Sequence, residues 1–309
     1  MQSFRIRTIQ EKMAELYGNA YTEYRKQWSD PDFVPENAPL HLDIDMRDAC
    51  NQRCAMCHQL YRKRTNIKIT KKILEKTLSE AAPAGLKSVN IGASCESLLE
   101  PELLLYTLEL CQKYSIMDTF IHTNAILLTE ELTEKLIQAG LKHLCISVDA
   151  ATEKTYRQIR CTETFAQVET HIKNAAKIRG EQFFPEIRVS FCLTPINEHE
   201  KNAFYNKWKD TVDLIEFQDY REVENSLDSG KEKKPRNACK EGIKRVMLWP
   251  NGDIAACCMG WQGVTFGNIL ESSFTEIWQS ERAKTIRTAL SSGENLPEVC
   301  QMCLQGYSN

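Results

Sequence analysis

From Leu40 onward, apolar runs of strand length alternate with amphipathic runs of helix length, and this alternation limits the possible folds more than any other feature of the chain. The strand-length runs are LHLDIDM (40–46), LKSVNIG (86–92), MDTFIHT (117–123), LKHLCISVD (141–149), EIRVSFCLT (186–194) and VDLIEFQ (212–218). Between them lie helical patterns such as TKKILEKTLSEAA, PELLLYTLELCQKY and TEELTEKLIQAG. The last has Thr129 as N-cap, acids in its first turn and Gly140 just past its end. Strict alternation predicts an α/β fold, a parallel sheet with helical crossovers. Six units fall short of the eight in a closed barrel, which leaves a partial barrel or an open doubly wound sheet. In either, chemistry gathers at the C-terminal ends of the strands.

The flanks read differently. Residues 1–39 begin with a polar helical stretch and end in the breaker-rich SDPDFVPENAP, an N-terminal helical extension leading into a core at 40–223. Residues 224–238 are charged, hold Gly and Pro, and read as a linker. In the final segment, 239–309, VMLWPNGDIAACC predicts a hairpin turning at Asn251-Gly252, and a Ser273 to Glu276 capping box opens an amphipathic helix before the closing CQMC.

A chain of 309 residues can bury a substantial core without disulfide staples, so its 13 cysteines ask for another explanation. Their odd number and an N-terminus without an apolar signal segment indicate a reducing cytoplasm, where grouped cysteines mean metal binding or redox chemistry. With 39 basic against 42 acidic residues, dispersed along the chain, nothing suggests a nucleic-acid partner. No apolar run is long enough to span a membrane.

The cysteines fall into two sets. Cys50, Cys54 and Cys57 stand at C-x3-C-x2-C spacing just after the first predicted strand. Three close thiolates can hold three corners of a 4Fe-4S cube and leave one iron open; incidental thiols, or a zinc site completed by His58, are the alternatives. Cys239, Cys257, Cys300 and Cys303 form the second set, whose spacing suits a four-iron cluster and a four-cysteine zinc site equally. Cys258 is left over. It directly follows Cys257 on a predicted strand, which would turn its side chain to the opposite face. Cys95, Cys145 and Cys192 also sit on or just past predicted strands, and Cys145 shares parity with Ser147 and Asp149.

The three-cysteine loop, in this place after the first strand, resembles the defining motif of the radical S-adenosylmethionine (radical SAM) superfamily over about residues 40–220. The resemblance implies a partial (β/α)6 TIM-like barrel whose Cys50, Cys54 and Cys57 carry a 4Fe-4S cluster. The open iron would chelate S-adenosylmethionine, whose reductive cleavage frees a 5'-deoxyadenosyl radical that abstracts hydrogen from a C–H bond. Further positions match in order. SCESLLEP resembles the family's Gly-Gly-Glu-Pro element and keeps Glu96 for the methionine ammonium, although Ser94 and Cys95 replace the glycines. HTNAILLT places Thr123 and Asn124 at the end of the third strand, and ISVDAATEKTYRQIR places Ser147, Asp149 and Arg160 near the ribose and carboxylate. Met56 stands where the family often has an aromatic residue against adenine.

The second set is similar to the SPASM and twitch extensions of radical SAM enzymes. This implies a small C-terminal twitch domain, a β-hairpin plus helix, with one auxiliary 4Fe-4S cluster on Cys239, Cys257, Cys300 and Cys303. Twitch enzymes resemble those that dehydrogenate or epimerise sugars and aminocyclitols, and SPASM enzymes commonly modify ribosomally made peptides. The short N-terminal segment favours a small-molecule substrate. A reducing partner such as flavodoxin or ferredoxin is implied, and Cys258 is a candidate hydrogen donor for an epimerase. From a different class, an iron-sulfur electron carrier or a zinc-stabilised binding module remains as the alternative.

Overall fold

The computed structural model describes residues 2–5, 8–57, 60, 63–220, 222, 236–259 and 263–306. Six parallel strands follow the predicted runs: β2 (His41–Ile44), β3 (Ser88–Ile91), β4 (Asp118–Thr123), β5 (His143–Ser147), β6 (Glu186–Leu193) and β7 (Leu214–Asp219). The crossovers carry α3 (Lys71–Ala84), α4 (Pro101–Lys113), α5 (Glu130–Gln138), α6 (Glu153–Arg160), α7 (Phe165–Arg179) and α8 (Lys201–Trp208). Thr129 caps α5 by accepting from the Leu132 N–H, and Gly140 takes φ of +74° beyond its end.

Each strand alternates between two environments. Leu42, Ile44, Val89, Ile91, Ile121, Leu144, Ile146, Ile187 and Val189 join the apolar core with the helices. The intervening positions are mostly polar, and several pair with one another: His41 Nδ1 lies 2.8 Å from Ser88 Oγ, and Asn90 Nδ2 donates to Asp43 Oδ1 at 2.7 Å. Side chains of β6 and of β8 (Arg245–Leu248) line one cavity on this polar face. The order β6-β5-β4-β3-β2-β8 would hold those strands roughly 24 Å apart in a flat sheet at about 4.8 Å per step, so the sheet curls. A partial barrel, not an open doubly wound sheet, is the result.

The sheet extends past the six expected strands to ten, in the order β1-β7-β6-β5-β4-β3-β2-β8-β9-β10. At one edge β1 (Gln2–Arg5) pairs antiparallel with β7. At the other, β8 pairs parallel with β2, followed by β9 (Asp253–Ala255) and β10 (Thr265–Asn268), both antiparallel to their neighbours. The hairpin at Asn251-Gly252 forms as expected, with Gly252 at φ of +92°. The N-terminal segment is thus not helical alone. After β1 come α1 (Gln10–Tyr17) and α2 (Asn19–Ser29), and α2 lies across the N-terminal end of the strands: the Trp28 ring packs tilted against His41, centroids 5.7 Å apart, and Tyr24 Oη lies 3.5 Å from Asp118. Helices α9 (Glu241–Lys244), α10 (Phe274–Gln279), α11 (Glu281–Ser292) and α12 (Glu298–Gln305) complete the chain, and the Ser273–Glu276 capping box opens α10. Of the predicted linker, residues 224–235 lie outside the described residues, as does His58.

Candidate functional site

The loop leaving β2 is pinned at its base. Asp48 accepts from the Thr65 N–H and hydroxyl at 2.6 and 2.7 Å, and its own N–H donates to Ile67 O. The loop then turns tightly, with Cys57 N donating to Cys54 O at 3.0 Å, and Met56 sits half-buried on that turn. Helix α6 braces it from the side: Ala55 N donates to Ile159 O, Gln52 Nε2 donates to Tyr156 Oη, and Arg160 Nη1 approaches Cys54 Sγ at 3.5 Å.

Glu96 stands beside this loop, its N–H donating to Ala49 O. The approach depends on Gly92, whose φ is +88° and where a Cβ would stand 2.5 Å from His122 O. The Glu96 carboxylate is buried and accepts from Thr123 Oγ1 at 2.6 Å, Asn124 N at 2.8 Å and Leu98 N at 3.0 Å. Burial pushes its pKa up, and the hydrogen bonds from Asn124 and Thr123 oppose the shift. Asn124 Nδ2 reaches Asn51 Oδ1 at 2.6 Å, which ties the end of β4 to the cysteine loop. Glu96, Thr123 and Asn124, expected from separate strands, therefore form one cluster.

Asp149 adopts the left-handed conformation, φ of +62°, just past β5. That turn aims its carboxylate at Arg160 in a short ion pair and at the Cys192 N–H, 2.6 Å away. Burial raises the Asp149 pKa against the pull of Arg160; burial also opposes the charge on Arg160, but Asp149 outweighs it and holds the guanidinium charged. Arg160 thus links Asp149 to Cys54. Ser147 accepts from its register partner on β6, Ser190 Oγ, at 3.5 Å.

The second cysteine set meets in the C-terminal part. Cys239, Cys257, Cys300 and Cys303 line one cavity with Ala256, Met259, Leu290, Val299 and Leu304. Cys300 and Cys303 lie three residues apart on α12, so one helix face presents both. Burial pushes the Cys300 thiol up to about 12. Cys258 does not face away from Cys257, as strand alternation would require. Strand β9 ends at Ala255, the two cysteines lie in the bend beyond it, and their side chains share a hydrogen bond. No disulfide joins any of the thirteen cysteines.

The sequence model of the radical SAM superfamily matches residues 45–201, and that of the SPASM iron-sulfur cluster-binding domain matches residues 239–304. The chain belongs to the radical SAM superfamily. Among relatives, a probable GTP 3',8-cyclase of Pyrococcus horikoshii is 27% identical over 191 residues, 60% of this chain and 58% of that protein. The GTP 3',8-cyclase of Clostridium botulinum is 31% identical over 186 residues, 57% of this chain and 56% of that protein. The chain thus spans less than two thirds of either relative. In fold it is similar to anSMEcpe with bound AdoMet (TM-score 0.65, 16% identity, 87% of this chain and 86% of that one) and to Streptococcus suis SuiB bound to S-adenosylmethionine (0.63, 17%, 90% and 73%). It is also similar to BtrN in complex with AdoMet and 2-DOIA (0.55, 14%, 84% and 89%).

Radical SAM membership implies a 4Fe-4S cluster and S-adenosylmethionine, and the SPASM match implies auxiliary iron-sulfur binding. The residues present fit both. Arg160 Nε is buried without a partner among the described residues, a bare donor beside Cys54 that suits an incoming anionic group. Around the apolar cavity, four thiols are the donor set of a cysteine-ligated cluster. Among the described residues, no three His, Cys, Asp or Glu side chains converge on a single-ion site. Sequence reading missed Asn51, Gln52 and Tyr156, ordinary polar residues whose roles come only from the tertiary contact of the loop with β4 and α6. Among the described residues, no helix is long and apolar enough to cross a membrane.

Proposed function

We propose that the chain cleaves S-adenosylmethionine at a cluster on Cys50, Cys54 and Cys57 and uses the radical to dehydrogenate a small polar molecule, with an auxiliary cluster on Cys239, Cys257, Cys300 and Cys303. The observation that carries this is the Glu96 cluster: a buried carboxylate held by Thr123 and Asn124 and tied through Asn51 to the three-cysteine loop. When bound, the cofactors supply a 5'-deoxyadenosyl radical at the barrel end and an electron acceptor in the C-terminal part. The chain's own residues bind and orient. Glu96 accepts the methionine ammonium, and its buried setting makes that contact strong. Arg160, fixed by Asp149, holds Cys54 and offers its Nε to the methionine carboxylate, with Ser147 toward the ribose and Met56 toward adenine.

Residues 40–223 form the barrel in this reading and 239–309 the auxiliary domain. It places the protein in a reducing cytoplasm, with flavodoxin or ferredoxin as electron source. Epimerisation would instead need a hydrogen donor, for which Cys258 is the candidate. A second reading, a nucleotide substrate, draws support from the relatives named GTP 3',8-cyclase. The reaction run in deuterated buffer separates the main outcomes. Formation of 5'-deoxyadenosine with a product lighter by two hydrogens supports dehydrogenation. A product that gains one deuterium, lost in Cys258→Ala, would overturn it in favour of epimerisation.

A further inference from the structure

The loop between β3 and α4 carries Glu96, and Ser94 and Cys95 stand there in the places of the glycines of the Gly-Gly-Glu-Pro element. Glycine is needed where φ is positive or where another group crowds the Cβ. Among residues 92–100 only Gly92 has positive φ, so the backbone at 94 and 95 accepts side chains without strain. Both side chains are used. Ser94 holds one carboxylate at two points: its N–H donates to Asp45 Oδ1 at 3.1 Å, and its hydroxyl makes a short hydrogen bond to Asp45 Oδ2. Cys95 Sγ lies 4.0 Å from Asp48 Oδ1, on the acid whose other oxygen holds Thr65.

Asp45 stands one residue past β2 and is fully buried. Its setting differs from that of Asp43, two residues earlier, which accepts from Arg245 Nε at 2.9 Å and Nη2 at 2.5 Å. Asp45 draws on neutral donors instead: burial pushes its pKa up, and the hydrogen bonds from Ser94, with one from Cys95, oppose the shift. A carboxylate withdrawn from water is costly unless donors occupy its oxygens, and Ser94 occupies both. The Asp45 N–H donates to Leu248 O at 3.3 Å, which fixes the residue against β8. Two links then fasten the Glu96 loop to one stretch of chain. Ser94 is tied to Asp45, and the Glu96 N–H is tied to Ala49 O at 3.1 Å. Asp45 and Ala49 both lie on the segment that leaves β2, and Cys50 follows directly. The place of Glu96 beside the three-cysteine loop is thus set from residues 45 and 49.

We propose that Asp45 and Ser94 are positioning residues, a side-chain clasp that holds Glu96 at the three-cysteine loop, so that the serine in a glycine position is a working part of the site. The proposal rests on the reading of Glu96 as acceptor of the methionine ammonium and adds the residues that place it. Equilibrium dialysis of S-adenosylmethionine against the anaerobically reconstituted holoenzyme tests it, with thermal melting and iron content as checks on folding. Ser94→Ala should weaken binding about fivefold or more, and Ser94→Gly, which restores the glycine, should weaken it at least as much. Asp45→Asn should lose a similar factor, and Asp45→Asn/Ser94→Ala no more than about twofold beyond that. In the Glu96→Gln background, Ser94→Ala should add less than about twofold, because the group it places is already altered. A serine that only stabilises the fold would lower the melting temperature without that dependence on Glu96. Full affinity in both Ser94 variants, a gain in Ser94→Gly, or an undiminished loss in the Glu96→Gln background would overturn the proposal. Glu96→Gln by itself reports on the underlying reading: a loss there beside full affinity in the Ser94 variants overturns the clasp alone, and no loss there overturns both.

Discussion

The two cysteine sites are built on opposite principles. At the barrel end, three cysteines within eight residues lie on a loop whose neighbours are charged or polar: Arg160 at Cys54, Glu96 against the backbone of Ala49, Asn124 on Asn51. In the C-terminal part, four cysteines gathered from residues 239 to 303 share a cavity whose other walls are carbon: Ala256, Met259, Leu290, Val299 and Leu304. Under the proposed function, the difference follows from what each would hold. A site that binds a zwitterionic cofactor needs fixed acceptors and donors for its ammonium and carboxylate, and those must be buried and paired beforehand. A site that only encloses a cluster and tunes it needs thiols and a dry wall.

If the contrast is right, the barrel end is sensitive to charge and the C-terminal cavity to packing. Removing the cation of the buried Asp149–Arg160 pair by Arg160→Leu should destabilise the apo-protein by about 3–5 kcal/mol in urea unfolding, because it leaves a buried carboxylate without its counter-charge. Asp149→Leu in the same background should recover part of that loss. Leu290→Ala, which removes only carbon from the other cavity, should cost about 2–4 kcal/mol, with no recovery from any charge change nearby. Glu96→Gln removes the charge and sets an amide NH2 against the N–H of either Leu98 or Asn124, so S-adenosylmethionine should bind at least about 1.5–3 kcal/mol more weakly by equilibrium dialysis. Unchanged affinity would move the acceptor role to another acid.

The smallest effect comes from His122. Its folded pKa of about 3 lies below the unfolded value of 6.5, so the unfolded chain binds the extra proton first as pH falls. The stability present above about pH 6.5 is therefore lost on descending toward pH 3. His122→Gln should remove about 1–2 kcal/mol of that acid-side decline near pH 5, read as a flatter dependence of melting temperature on pH.

Much of this was legible in the chain because the signals are local. Thr129, Gly140, the Asn251-Gly252 turn and the Ser273–Glu276 box each fix a boundary by chemistry within a few residues. The three-cysteine loop is legible for the same reason. What escaped depends on partners distant in sequence. Strand β1 is four residues that pair with β7, more than 200 residues away, and no local pattern marks it. Cys258 was read from strand alternation, but β9 stops before it and the alternation no longer applies. The polar inner face also escaped, because it needs Asn90, His122, Arg188 and Arg245 brought round one cavity from four strands.

The central claim is that the two cysteine sets do separate work, one generating the radical and one serving as an auxiliary centre. Iron content and 5'-deoxyadenosine formation, measured together on three anaerobically reconstituted forms, test it most directly. The unmodified chain should carry about eight irons and form 5'-deoxyadenosine with S-adenosylmethionine and dithionite. Cys50→Ala/Cys54→Ala/Cys57→Ala should keep about four irons and form none, while Cys300→Ala/Cys303→Ala should also keep about four and still form it. Cleavage that survives loss of the first set, or about four irons with one zinc in the unmodified chain, would contradict the account.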